Sequence, residues 1–134
     1  MQYENLTRKI IGCAYTVHNT LGFGFLESVY EKAMLIELSK TGLNVSAQHP
    51  VNVHYEGQIV GQFTSDLLVE DKIIVELKSV QQPVQAFDVQ LVNYLAATNK
   101  PVGLLLNFGP HCVEVKRKAK DLQQIRDETE TEAP

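Results

Sequence analysis

The chain has 134 residues, 44% of them hydrophobic and 21% charged, with a formal net charge of −4. That length supports one domain whose core needs no disulfide or metal staple. No apolar run approaches the roughly 18 residues that cross a bilayer, and Met1-Gln2-Tyr3-Glu4-Asn5 lacks a basic-then-apolar signal layout, so a soluble cytoplasmic protein without a membrane partner is expected.

Residues 5–20 read as a helix, with Leu6, Ile10, Cys13, Ala14 and Val17 at helical spacing. Leu21-Gly22-Phe23-Gly24 breaks it with a glycine pair suited to a tight turn. A second helix is expected from Phe25 to Lys40, with Gly42 placed to end it. Residues 43–47 suggest a short edge strand. Val51 to Tyr55, the Glu56-Gly57 turn and Gln58 to Val60 then read as strand, turn, strand. Two further strands, 62–69 and 72–79, are rich in Val, Ile and Leu. Pro83 to Thr98 is helical in pattern, Pro101 to Asn107 is an apolar strand, and Val113 to Lys116 alternates as a last one. The order α-α-β-β-β-β-α-β-β describes one α/β unit over residues 1–120, without a repeat or linker. Residues 121–134 hold five acids and one arginine, with too little apolar surface to order them, so a disordered tail is expected.

Chemistry concentrates in the strand pair around residue 71. If Glu70-Asp71-Lys72 makes a hairpin centred on Asp71, Asp66 lies across from Glu76, with Cβ atoms about 5 Å apart. The two-residue period of a strand adds Lys78 to the same side. Two carboxylates this close repel, which raises the pKa of one unless a cation intervenes. Hard oxygens at this spacing suit Mg²⁺ or Mn²⁺, and an oxygen from the backbone near Leu77 would add a further ligand. Lys78 would orient or deprotonate a water, or neutralise charge developing on a phosphate. The bland alternative is a solvated cross-strand charge cluster. Gln90 and Tyr94, four apart, share one face of the following helix. Glu27 falls in the first turn of the second helix, where the macrodipole favours an acid in any case.

Leu21 to Tyr30, with Gly24, Glu27 and Tyr30, resembles the signature of the GxxExxY protein family. Thr64 to Val69 is similar to that family's first acidic strand, Ile74 to Lys78 to its second, and Val102 to Gly109 to its closing strand. That family belongs to the PD-(D/E)XK nuclease superfamily. The resemblance implies a restriction-endonuclease-like core, a mixed central β-sheet flanked by helices. It implies a metal site of Asp66, Glu76 and Glu27, with Lys78 as the catalytic lysine beside those acids. It also implies substrate contacts from Gln90, Tyr94 and Tyr30, with DNA as the nucleic acid. Ser65 stands where the superfamily places a proline before the first acid.

The remaining polar residues say less. His18 reads as capping or packing, His49 and His54 lack a second ligand at metal spacing, and His111 reads as a solvent-facing turn residue. Cys13 and Cys112 match no zinc spacing and read as reduced thiols. The Gly22/Gly24 pair lacks the Lys and Ser/Thr of a phosphate loop. With the tail set aside, residues 1–120 hold as many acids as bases, and Lys116-Arg117-Lys118 with Lys120 reads as a solvated strand end. The leading expectation is therefore a Mg²⁺- or Mn²⁺-dependent nuclease acting on DNA. A catalytically silent nucleic-acid-processing or regulatory binding module of the same fold is the alternative, and hydrolysis of another phosphate compound is a third reading. The neutral body and small size also suggest that a second copy or a protein partner helps grip the substrate.

Overall fold

A computed structural model describes residues 3–120; the acidic tail expected over 121–134 lies outside the described residues. Helix α1 spans Glu4–Leu21 and α2 spans Glu27–Lys40. Gly22 and Gly24, with φ of 73° and 111°, make the turn between them in a region that costs glycine little. Strands β1 (Val45–Tyr55), β2 (Gln58–Val69) and β3 (Ile73–Lys78) follow, then α3 (Gln85–Thr98), β4 (Val102–Phe108) and β5 (Val113–Ala119). Three strands thus separate α2 from α3: the segments expected at 43–47 and 51–55 join in β1, and those at 58–60 and 62–69 join in β2. Gly61, between two of those segments, stays in the ladder opposite Val53. Pro50 continues β1 opposite Thr64, and it does so on an edge strand, where a missing ladder N–H costs least.

One mixed five-stranded sheet results, in the order β1-β2-β3-β4-β5. Strands β3 and β4 run parallel and the other neighbours antiparallel. The parallel pair requires a crossover, and α3 supplies it. Alternation in β2 and β3 divides their side chains between two layers. Leu67, Val69, Val75 and Leu77 pack with Ile10, Val17, Tyr30, Met34 and Leu38 of α1 and α2. Leu68 and Ile74 pack with Leu91, Tyr94 and Leu95 of α3.

That alternation changes parity part-way along the β1–β2 ribbon. Gln48 has a left-handed backbone (φ 54°) and, like Asp66 opposite, falls in a gap between paired residues. Beyond this point odd-numbered residues turn toward α3: Val51 joins the α3 cluster, and the Phe63 ring stacks beside Tyr94 at 6.1 Å. Thr64, next along β2, turns toward α2, donating to Gln48 (2.9 Å), which donates to Glu31 (2.7 Å). No helix among the described residues is long and apolar enough to cross a membrane.

Candidate active site

The β2–β3 hairpin turns through Glu70 and Asp71, both left-handed (φ 53° and 58°), with Lys72 N–H donating to Val69 C=O at 3.0 Å. Two successive positive φ values define the turn whose twist matches an antiparallel pair. Neighbours offset the strain of placing two side chains there. The Asn44 N–H donates to Glu70 Oε2 at 2.6 Å, and Lys100 pairs with Asp71 at 2.8 Å. The resulting register pairs Leu67 with Val75, Leu68 with Ile74 and Val69 with Ile73, centred on Asp71 as expected from the sequence. Beyond the last paired residues, the Asp66 side chain interacts directly with that of Glu76, and both act on Tyr94 of α3.

Glu76 is only 7% exposed, and its Oε1 has no hydrogen-bond partner. Burial pushes its carboxyl up to about 9, and the neighbouring Asp66 charge and a shared hydrogen bond add to the rise. Lys78 opposes that rise. Asp66 is fixed differently, its Oδ2 accepting the Leu77 N–H at 2.7 Å. Without a cation, then, Glu76 keeps its proton at neutral pH. The two carboxylates offer hard oxygens of the kind Mg²⁺ or Mn²⁺ takes while keeping several waters, and the orphaned Glu76 Oε1 is an acceptor that a cation would satisfy. The Lys78 ammonium lies 4.5 Å from the centre of the Phe87 ring, a cation–π contact that holds the charge on the α3 side.

The other residues singled out in the sequence distribute unevenly. Gln90 and Tyr94 come together on α3, Gln90 Nε2 donating to the Tyr94 hydroxyl at 2.9 Å. Tyr94 lies within the field of the acid pair: burial raises its phenol pKa, Gln90 opposes the rise, and the Glu76 and Asp66 charges add to it. Tyr30 does not reach this patch. It is fully buried, its hydroxyl donates to Gly22 C=O at 2.5 Å, and its ring stacks on Phe108 at 4.4 Å. It pins the glycine turn on the α1/α2 layer and has no surface left for substrate. Glu27 is exposed at the start of α2. Among the described residues no group of three or more His, Cys, Asp or Glu side chains is placed to hold a metal, so Glu27 does not join Asp66 and Glu76. His18 anchors α1, its Nε2 lying 2.8 Å from Gly109 C=O.

Three contributors escaped the sequence reading. Asn107, opposite Lys78 on β4 and 1% exposed, clamps the chain leaving β3. Its Oδ1 accepts the Val80 N–H and its Nδ2 donates to Val80 C=O, each at 2.9 Å. A polar residue closing an otherwise apolar strand was the signal available. Phe87 seats Lys78, a contact between distant segments that no local pattern announces. Phe63 was invisible because a strict two-residue period puts it on the wrong face. The basic cluster on β5 is partly neutralised: Lys116 and Lys118 reach Asp88 of α3 at 3.1 and 3.4 Å.

A mixed sheet with helices on both faces, carrying two carboxylates and a lysine at adjacent ends of one hairpin, defines a nuclease-type α/β core. The sequence agrees, matching the family profile of the PD-(D/E)XK nuclease superfamily over residues 4–118. The chain belongs to the PD-(D/E)XK nuclease superfamily. Among solved structures it resembles the protein SSO0001, with TM-score 0.56 and 17% identity, over 96% of this chain and 66% of that one. This chain thus spans slightly under two thirds of SSO0001. It is also similar, at TM-score 0.48 and 13% identity, to the alkaline exonuclease LHK-Exo from Laribacter hongkongensis, covering 94% of this chain and 85% of that one. A search of curated proteins returns no match.

Proposed function

We propose that the protein hydrolyses phosphodiester bonds in DNA with a divalent cation, Mg²⁺ or Mn²⁺, held by Asp66 and Glu76. The observation that carries this reading is the buried, unpartnered Glu76 Oε1 beside Asp66, with Lys78 on the same side of the strand. A buried polar oxygen without a partner is costly, and a cation that takes the place of the Glu76 proton would satisfy it. When bound, the cation supplies charge stabilisation to the phosphate and lowers the pKa of a bound water.

The chain's own residues do the rest. The Leu77 N–H keeps Asp66 in place, and loss of the Glu76 proton readies the second carboxylate. Lys78, restrained by the Phe87 ring, presents its ammonium to the phosphate, where positive charge counts most as the phosphate gains charge in the transition state. The Gln90–Tyr94 pair borders the acid pair and positions the strand. Asn107 holds the backbone after Lys78 through Val80, which fixes the height of the lysine.

The test is cleavage of labelled single- and double-stranded DNA and RNA with Mg²⁺, Mn²⁺ or chelator, with Lys78→Ala and Asp66→Ala proteins in parallel. Metal-dependent cutting by the unaltered protein, reduced at least about 100-fold in both variants, is the expected result. Cutting that persists in the variants would contradict it. Retained nucleic-acid binding without cutting would favour the silent binding module.

A further inference from the structure

The cleft beside the acid pair holds no acidic side chain, lysine or arginine. Its volume is about 930 Å³, and it lies between the outer half of the β1–β2 ribbon and α3, within the ~300–1,000 Å³ range of small-molecule pockets. The ribbon contributes Asn52, His54 and Phe63, and the helix contributes Phe87, Asn93 and Tyr94. A phosphate would find no lysine or arginine there, whereas a flat neutral heterocycle meets ring faces and side-chain amides. Phe63 is 51% exposed and leaves much of its ring open. The cleft also joins the acid patch directly, since Phe87 seats the Lys78 ammonium at 4.5 Å and Tyr94 lies in the field of Glu76 and Asp66.

We propose that this cleft receives an unpaired nucleobase from the nucleotide adjoining the scissile phosphate, stacked on Phe63, so that the preferred substrate is a single strand or unpaired strand end. The inference rests on the nuclease reading above. Within a duplex both faces of a base are covered by its neighbours, and a base reaches such a cleft only when unpaired or pulled from the stack. Stacking on an aromatic face suits every base and needs no sequence match. Division of labour follows from charge: the phosphate goes to Lys78 and the acid pair, and the base goes to the cleft.

The test uses the full chain with Mn²⁺ and end-labelled single-stranded DNA oligonucleotides, each carrying one abasic residue at a different position, beside matched duplexes. Phe63→Ala and Phe63→Tyr proteins run in parallel. The unaltered protein is expected to cut single strands faster than duplexes. It should cut beside an abasic residue about tenfold more slowly than beside a base, the scale of one lost stacking contact. Phe63→Ala should cut all positions at one reduced rate, and Phe63→Tyr should keep the contrast. Equal cutting at abasic and normal positions by the unaltered protein overturns the base cleft and leaves the nuclease reading standing. An abasic contrast that survives in Phe63→Ala also overturns it. No cutting of any strand overturns both.

Discussion

The two faces of the sheet are built for different purposes. On the α1/α2 face, apolar side chains from both helices and from β2, β3, β4 and β5 meet in a continuous buried cluster from Ile10 to Val113. Even the polar signature residue Tyr30 is consumed there by packing and by backbone hydrogen bonds, its hydroxyl donating to Gly22 C=O and accepting the Phe25 N–H. The α3 face starts with a smaller cluster around Leu91 and Leu95, then opens outward into the acid pair and the cleft. Stability is thus concentrated on one layer, which frees the other to hold a repelling pair of carboxylates and a half-exposed aromatic ring.

The sharpest way to break this comparison is truncation on the closed face. Leu104→Ala, at a fully buried position, should destabilise the protein by about 2–5 kcal/mol in urea unfolding. A smaller loss would show that the α1/α2 layer is not the main core. Next comes Asp66, which serves both faces of the argument. Asp66→Ala strands the buried Leu77 N–H and should cost about 1–3 kcal/mol, whereas Asp66→Asn keeps an acceptor and should cost much less. Equal losses from the two would mean the hydrogen bond to Leu77 is unimportant.

Glu76 gives a pH signature. Its folded-state pKa of about 9 lies above the ordinary 4.5, so the folded protein keeps a proton that the unfolded chain releases. The stability from this group is complete below the unfolded value and is lost as pH rises through the folded one. Metal-free melting temperature should therefore fall between pH 5 and 9, and Glu76→Gln should flatten that fall. A slope unchanged by the substitution would place the buried proton elsewhere. The smallest effect belongs to Phe63→Ala, which should alter stability by no more than about 0.5 kcal/mol. A larger loss would make Phe63 a core residue and not a cleft wall.

How much of this was legible depends on how locally each feature is encoded. The β2–β3 register followed from a short polar turn between two apolar runs, because the pleat then dictates which residues share a side. The strand–helix–strand order of β3, α3 and β4 followed from the switch between strand and helix periods, while their parallel pairing appears only in the fold. The outer ribbon was not legible. Pro50 and Gly61 fall between the segments expected from the sequence, yet both are paired along β1 and β2. The left-handed Gln48 reverses which side chains face α3, and a polar, non-glycine residue in that conformation leaves no sequence signal. The placement of Tyr30 and Glu27 was not legible for a related reason: a motif names residues, while their depth and direction depend on how α2 sits on the sheet.

The most direct measurement is equilibrium Mn²⁺ binding by titration calorimetry to the unaltered protein, Lys78→Ala and Glu76→Gln. The account predicts saturable binding to the first two, since Lys78 holds no metal, and its loss in Glu76→Gln. Undiminished binding by Glu76→Gln, or none by the unaltered protein, would contradict a cation site at the Asp66–Glu76 pair.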